Sequence, residues 1–102
     1  MIYLDSNATT QVHPEVLEAM LPYLTDQCFN PSSGYRAGKR VKAALEHARE
    51  QVAALIGAEP KEIVFTGCGT EANNAVLHFL ADAVGKGKRI ITSQIEHSSI
   101  LR

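Results

Sequence analysis

Ile63-Val64-Phe65-Thr66-Gly67-Cys68-Gly69-Thr70-Glu71-Ala72-Asn73-Asn74 runs from an apolar, β-favouring stretch through two glycines around a cysteine into a helix-permissive segment. A strand that feeds a glycine turn and then a helix start leaves backbone N–H groups unpaired at the turn. The helix dipole adds partial positive charge there, so the place suits an anion and above all a phosphate. Gly67 and Gly69 permit a tight turn with close backbone approach, and the Thr70 hydroxyl adds one more donor. The pattern is not specific by itself. It begins like a dinucleotide fingerprint, with Ala72 in a place that fingerprint admits, but lacks an acidic residue about 20 residues on at the end of a second strand. The lysine and hydroxyl pair of a P-loop is also missing. An ordinary strand-to-helix turn without a ligand carries the same pattern.

Outward from this turn, the chain alternates. Arg89-Ile90-Ile91-Thr92-Ser93 reads as a second buried strand, and Ala72, Val76, Phe79, Leu80 and Ala83 mark a buried helix face between the two. Gly85-Lys86-Gly87-Lys88 stops that helix. Upstream, Tyr35 to Ile56 reads as a long helix with Gly57 as its stop. Val41, Leu45, Ala48, Val52, Leu55 and Ile56 give it a continuous buried stripe. Lys39, Arg40, Lys42, Glu46, Arg49 and Glu50 lie on its wetted side, as does His47. Ala58-Glu59-Pro60-Lys61 turns the chain into a strand over 62–66. Helix and β-run in alternation predict an α/β fold with a mainly parallel sheet.

The first third is less regular. Ile2-Tyr3-Leu4 is a short extended run ended by Asp5-Ser6-Asn7, and Ala8-Thr9-Thr10 has the composition of a surface loop. Pro14 fits the first turn of a helix whose apolar positions are Val16, Leu17, Met20, Leu21 and Leu24, and Pro22 should kink or shorten it. Asn30-Pro31-Ser32-Ser33 favours a turn, with either serine able to cap the helix that follows.

Bulk properties bound the partners. The 102 residues carry a formal net charge of -1, with 45% hydrophobic and 21% charged residues of interspersed sign. Nothing here favours a nucleic acid or a membrane surface, and no run approaches the roughly 20 apolar residues of a span. Met1 to Ser6 lacks the make-up of a secretory leader. Cys28 and Cys68 have no metal-type spacing and read as free thiols of a reducing compartment, which predicts a cytoplasmic location and no metal site.

His97 follows the second β-run, where a new helix would begin with Ser98 or Ser99 as its cap. In an open parallel sheet ligands gather beyond the strand ends, so His97 and the Gly67–Thr70 turn become neighbours if the two strands do. An imidazole there could stack on an aromatic cofactor or relay a proton. A histidine that merely helps to start a helix fits the same position.

Taken in order, Tyr3-Leu4-Asp5-Ser6-Asn7-Ala8-Thr9-Thr10, Asn30-Pro31-Ser32-Ser33, Phe65 to Asn74, Ile90-Ile91-Thr92 and Glu96-His97 resemble the N-terminal part of the NifS/IscS-type cysteine desulfurases. These are pyridoxal-phosphate enzymes of the class V aminotransferase group, and the resemblance covers the whole chain. It implies the N-terminal part of an aspartate aminotransferase-like fold. Residues 1–34 would form an arm and short helix near the active-site mouth, and 35–102 the start of the large cofactor-binding domain. It implies pyridoxal 5'-phosphate as cofactor, with Gly69 and Thr70 on its phosphate and His97 stacked on its ring as a catalytic residue. It implies L-cysteine as substrate, a sulfur-acceptor or scaffold protein as partner, and a homodimer at full length. The Ala8-Thr9-Thr10 loop matches a segment near the site's mouth.

Two departures stand out. Tyr35 occupies a place where many relatives have histidine, and Gly67-Cys68 replaces a more usual Ser-Gly or Ser-Cys. The larger difference is length. The family's Schiff-base lysine, its aspartate against the pyridine nitrogen and its sulfur-accepting cysteine have no counterpart here, and neither Cys28 nor Cys68 matches the last. The resemblance therefore implies an N-terminal fragment, inactive alone because it lacks both covalent partners. Rival readings keep the fold and change the role: a selenocysteine lyase or other class V enzyme, or a truncated non-catalytic homologue that binds a partner. A free-standing phosphate or nucleotide binder is the remaining one.

Overall fold

The computed structural model describes residues 2–84, 87 and 89–101. The chain divides into two compact units, Met1–Ile63 and Val64–Arg102. The first holds α1 (Pro14–Leu24), α2 (Arg36–Ile56) and a single 3-10 turn (Pro60–Glu62); the second holds α3 (Gly69–Val84) and α4 (Ser98–Leu101).

In the first unit, α1 starts with Pro14 in its first turn, where the missing N–H costs nothing, and Glu15 adds a negative charge at the positive end. Pro22 sits inside the helix, which ends two residues later. Its carbonyl accepts from the Thr25 and Gln27 amides, while the Thr25 hydroxyl donates to Leu21 O at 3.0 Å. The helix thus accommodates Pro22 within its last turn and runs to Leu24, the last residue of the expected apolar face. Asn30 then builds a closed turn, its Oδ1 accepting from Ser32 N at 2.8 Å and its carbonyl from Ser33 N at 3.1 Å. Neither serine caps α2. Tyr35 holds the cap position without a side-chain bond and sets its ring edge-on to Phe29, with centroids 6.2 Å apart. Tyr35 is therefore a packing residue in this unit.

Gly38 shows why α2 can lie against that turn. A Cβ built on it would meet Asn30 O at 2.7 Å and the Ser33 Cβ and O at 2.9 Å. Only a residue without a side chain lets the helix come this close. At the other end Gly57 adopts φ 69° and ψ 28°, a left-handed stop that a side chain disfavours. Arg49, expected on the wetted side, bonds the Ile63 carbonyl as well as Glu46 Oε2 at 3.3 Å. It fixes the chain leaving the 3-10 turn, which the Glu62 carboxylate closes by accepting from Glu59 N at 2.8 Å.

One expectation is corrected. The stripes on α2 and α3 are not buried: Leu55 is 84% exposed and Phe79 69%, and Ala53 is the buried hydrophobic residue among those described. Amphipathic spacing marks a face that packing can cover; it does not supply the cover. No sheet is formed among the described residues. Of the β-run expected over 62–66, Glu62 belongs to the 3-10 turn and Ile63 is extended, at φ −90° and ψ 125°, but neither this run nor 89–93 forms a strand. A β-run becomes a strand only when a neighbour accepts and donates its ladder bonds. The expected stop at Gly85-Lys86-Gly87-Lys88 lies outside the described residues except for Gly87, whose φ is 89°. Among the described residues, no helix is long and apolar enough to cross a membrane.

Candidate functional site

The glycine turn is where the sequence anticipates it. Ala72 N donates to Cys68 O at 3.2 Å, which makes Cys68 the residue that opens α3 and puts Gly69, Thr70 and Glu71 in its first turn. The amides of this turn precede the first intrahelical acceptor and point out of the helix start. The whole stretch from Val64 to Glu71 is exposed. A Cβ built on Gly69 meets nothing within 4 Å, so Gly69 faces open space. The Thr70 hydroxyl stands in the same turn.

Two side chains hold the turn in shape. Glu71 reaches back so that its Oε2 accepts from Gly67 N at 2.6 Å, and the Thr66 hydroxyl donates to Cys68 O at 3.1 Å. The Glu71 carboxylate sits 3.1 Å from where a Gly67 Cβ would be, so Gly67 gives room to the carboxylate and Gly69 to whatever approaches from outside. Sequence reasoning read both glycines as one device; they do separate work.

His97 stands directly before α4 and performs the capping expected of a serine. Its carbonyl accepts from Ile100 N at 2.8 Å, and its ring Nδ1 takes Ser99 N at 3.2 Å. The same Nδ1 lies 2.8 Å from Ser99 Oγ, and Asn73 Nδ2 donates to that oxygen at 2.9 Å. Asn73 is in the second turn of α3, about 6 Å along the axis from Gly69 at 1.5 Å per residue. Two hydrogen bonds therefore join the His97 ring to the helix whose first turn carries Gly69 and Thr70. Asn73 and Ser99 were missed as site residues. The signal available was their place, one in the helix after the glycine turn and one in the Ser-Ser pair after the histidine, but nothing in a pattern pairs residues 26 apart.

In the first unit, Thr9 and Thr10 line a cavity of about 640 Å³ with Tyr3, Ser6 and Gln11. The Asp5 carbonyl shapes this loop by accepting from Ala8 N at 3.0 Å and Thr9 N at 3.4 Å. Cys28 and Cys68 are free and exposed. Among the described residues, no three histidine, cysteine or acidic side chains gather as a metal site would need.

The start of α3 offers free amides and a hydroxyl of a kind that suits an anion. Comparisons with known proteins give the family. A cysteine desulfurase of Trichormus azollae is 54% identical over 101 residues, covering 99% of this chain and 25% of that protein. A mitochondrial cysteine desulfurase of Drosophila melanogaster is 52% identical over 102 residues, covering 98% of this chain and 22% of that protein. A solved structure of a NIFS-like protein superposes with a TM-score of 0.89 at 42% identity, over 98% of this chain and 28% of that one. The chain thus spans about a quarter of the length of the curated relatives it matches. The family model for Aminotransferase class-V matches residues 2–102, and the chain belongs to that family.

Proposed function

We propose that this chain forms the phosphate-binding and ring-facing part of a pyridoxal-phosphate-dependent cysteine desulfurase, which converts L-cysteine to L-alanine and an enzyme-bound persulfide. One observation carries the reading: the open first turn of α3 and the His97 ring belong to one hydrogen-bonded unit, through Asn73 and Ser99. The relatives named cysteine desulfurase support the choice of substrate.

The residues then divide the work. Gly69 keeps the space before the α3 amides clear, and those amides with the Thr70 hydroxyl bind the phosphate. Charge-assisted bonds of this kind contribute about 1.5–3 kcal/mol each. His97 lays its ring against the cofactor's ring, which orients the cofactor and keeps water from that face. When bound, pyridoxal 5'-phosphate supplies an electron sink for bonding electrons released at the substrate. His97 is also the group on this chain placed to hold or hand on a proton, from its Nε2, since Nδ1 is engaged by Ser99. The cavity at Thr9 and Thr10 fits the proposed role of residues 1–34 as an arm near the mouth of the site, with 35–102 opening the large domain. In that domain 63–66 and 89–93 would pair as parallel strands of a larger sheet.

The same reading takes the protein as a cytoplasmic homodimer that hands its sulfur to an acceptor or scaffold protein and uses neither nucleic acid nor membrane. Its test is made on the protein at the full length of its natural reading frame. L-cysteine should yield L-alanine, and His97→Ala should lower turnover by about 10²–10⁴-fold while bound cofactor falls far less. No alanine from the wild type would remove the desulfurase reading. Equal losses of turnover and cofactor would remove the catalytic role of His97.

A further inference from the structure

We propose that Asn73 and Ser99 are positioning residues that hold His97 as the tautomer with its hydrogen on Nε2. One donor in this cluster cannot change its role. The Ser99 backbone N–H can only donate, and it points at His97 Nδ1 at 3.2 Å. Nδ1 must then be the bare, accepting nitrogen, and in a neutral imidazole the hydrogen resides on the other one. The side chains agree. Asn73 Nδ2 can also only donate, and it occupies Ser99 Oγ at 2.9 Å as a donor. The serine hydroxyl, having accepted from Asn73, turns its own hydrogen to Nδ1 at 2.8 Å. Even with the Asn73 amide turned over, the Ser99 backbone amide still requires an accepting Nδ1. Asn73 and Ser99 are both half-buried whereas the ring they hold is exposed, so the support is sheltered and the working nitrogen is open.

The consequence for the reaction rests on the functional reading above. A ring pinned at Nδ1 by two donors has its rotation fixed, and it presents Nε2–H as a donor to whatever lies in front of it. The tautomer itself rests only on this chain's hydrogen bonds, and it is measured without cofactor. The probe is isotope-labelled histidine NMR of the full-length, cofactor-free protein, with the His97 signals assigned by their loss in His97→Gln. The wild type should show a bare Nδ1 and a protonated Nε2. Ser99→Ala, which removes one of the two donors, should lower the preference for that tautomer roughly fivefold, the worth of about one ordinary hydrogen bond. Ser99→Thr, which keeps the hydroxyl, should restore it. Asn73→Ala should give a smaller drop of about twofold, since the hydroxyl loses only its alignment.

A hydrogen on Nδ1 in the wild type overturns the proposal. A tautomer ratio unchanged in a folded Ser99→Ala protein overturns it as well. A separate titration of the same samples with pyridoxal 5'-phosphate distinguishes the two ideas. Absent cofactor binding with the expected tautomer would count against the desulfurase reading alone.

Discussion

The two units solve different problems with similar helices. In the first, the contacts that define the structure are steric. Gly38 lies against the Asn30–Ser33 turn, Ala53 is buried, and Tyr35 packs edge-on to Phe29. In the second, no described residue is buried, and the defining contacts are polar: Glu71 to Gly67, Asn73 to Ser99, Ser99 to His97. The first unit is shaped to fit itself. The second is shaped to leave donors open. Substitutions at the packed contacts of the first should therefore be felt in stability, and substitutions at the open donors of the second in cofactor binding.

The largest effect is expected at Gly38. A methyl there meets a backbone carbonyl and a Cβ, neither of which can swing away, and overpacking of this kind costs about 1–3 kcal/mol. Alanine returns at most about 1 kcal/mol in helix propensity. Gly38→Val, with no such return, should lower the denaturant midpoint of the full-length protein more than Gly38→Ala. An unchanged midpoint in both would break the steric half of the comparison.

Next comes Thr70→Ala, which removes one donor to the proposed phosphate. Cofactor affinity should fall roughly tenfold or more, by the worth of a hydrogen bond to a charged group, with the denaturant midpoint unmoved. Gly69→Ala sharpens the same point. Its Cβ meets no protein atom, so the fold should tolerate it, and helix propensity should even favour it. The loss should appear in cofactor binding alone. A loss of stability without a loss of affinity would mean that Gly69 serves the fold and not a ligand. The smallest effect belongs to Glu71→Gln. The amide still reaches Gly67 N but without the charge, which near a helix start is worth about 0.3–1 kcal/mol. Thermal melting of the full-length protein would read it as a small downward shift.

What the sequence disclosed follows the same division. Local devices were legible. Pro14 opens α1, Asn30 builds its turn and Gly57 stops α2, because each acts through its own backbone or a neighbour within a few residues. Gly69 and Thr70 were found at the start of a helix for the same reason. Contacts across many residues were not legible. Nothing near Gly38 marks it as a point of close approach, and Arg49 reads as one more charge on a wetted face although it holds Ile63. His97 was found, but its capping role was assigned to the following serines, since a histidine ring is an unusual cap. The apolar stripes and β-runs were recognised as faces and edges fit to pack. Whether they do pack is decided by partners that periodicity does not encode.

The most direct test of the account compares pyridoxal 5'-phosphate with pyridoxal, its phosphate-free counterpart, as ligands of the full-length protein and of its Thr70→Ala variant. If the first turn of α3 holds the phosphate, the wild type should bind the phosphorylated form far more tightly, and Thr70→Ala should narrow that gap roughly tenfold while leaving pyridoxal affinity unchanged. An equal gap in both proteins would contradict it, and the phosphate would have to be held elsewhere.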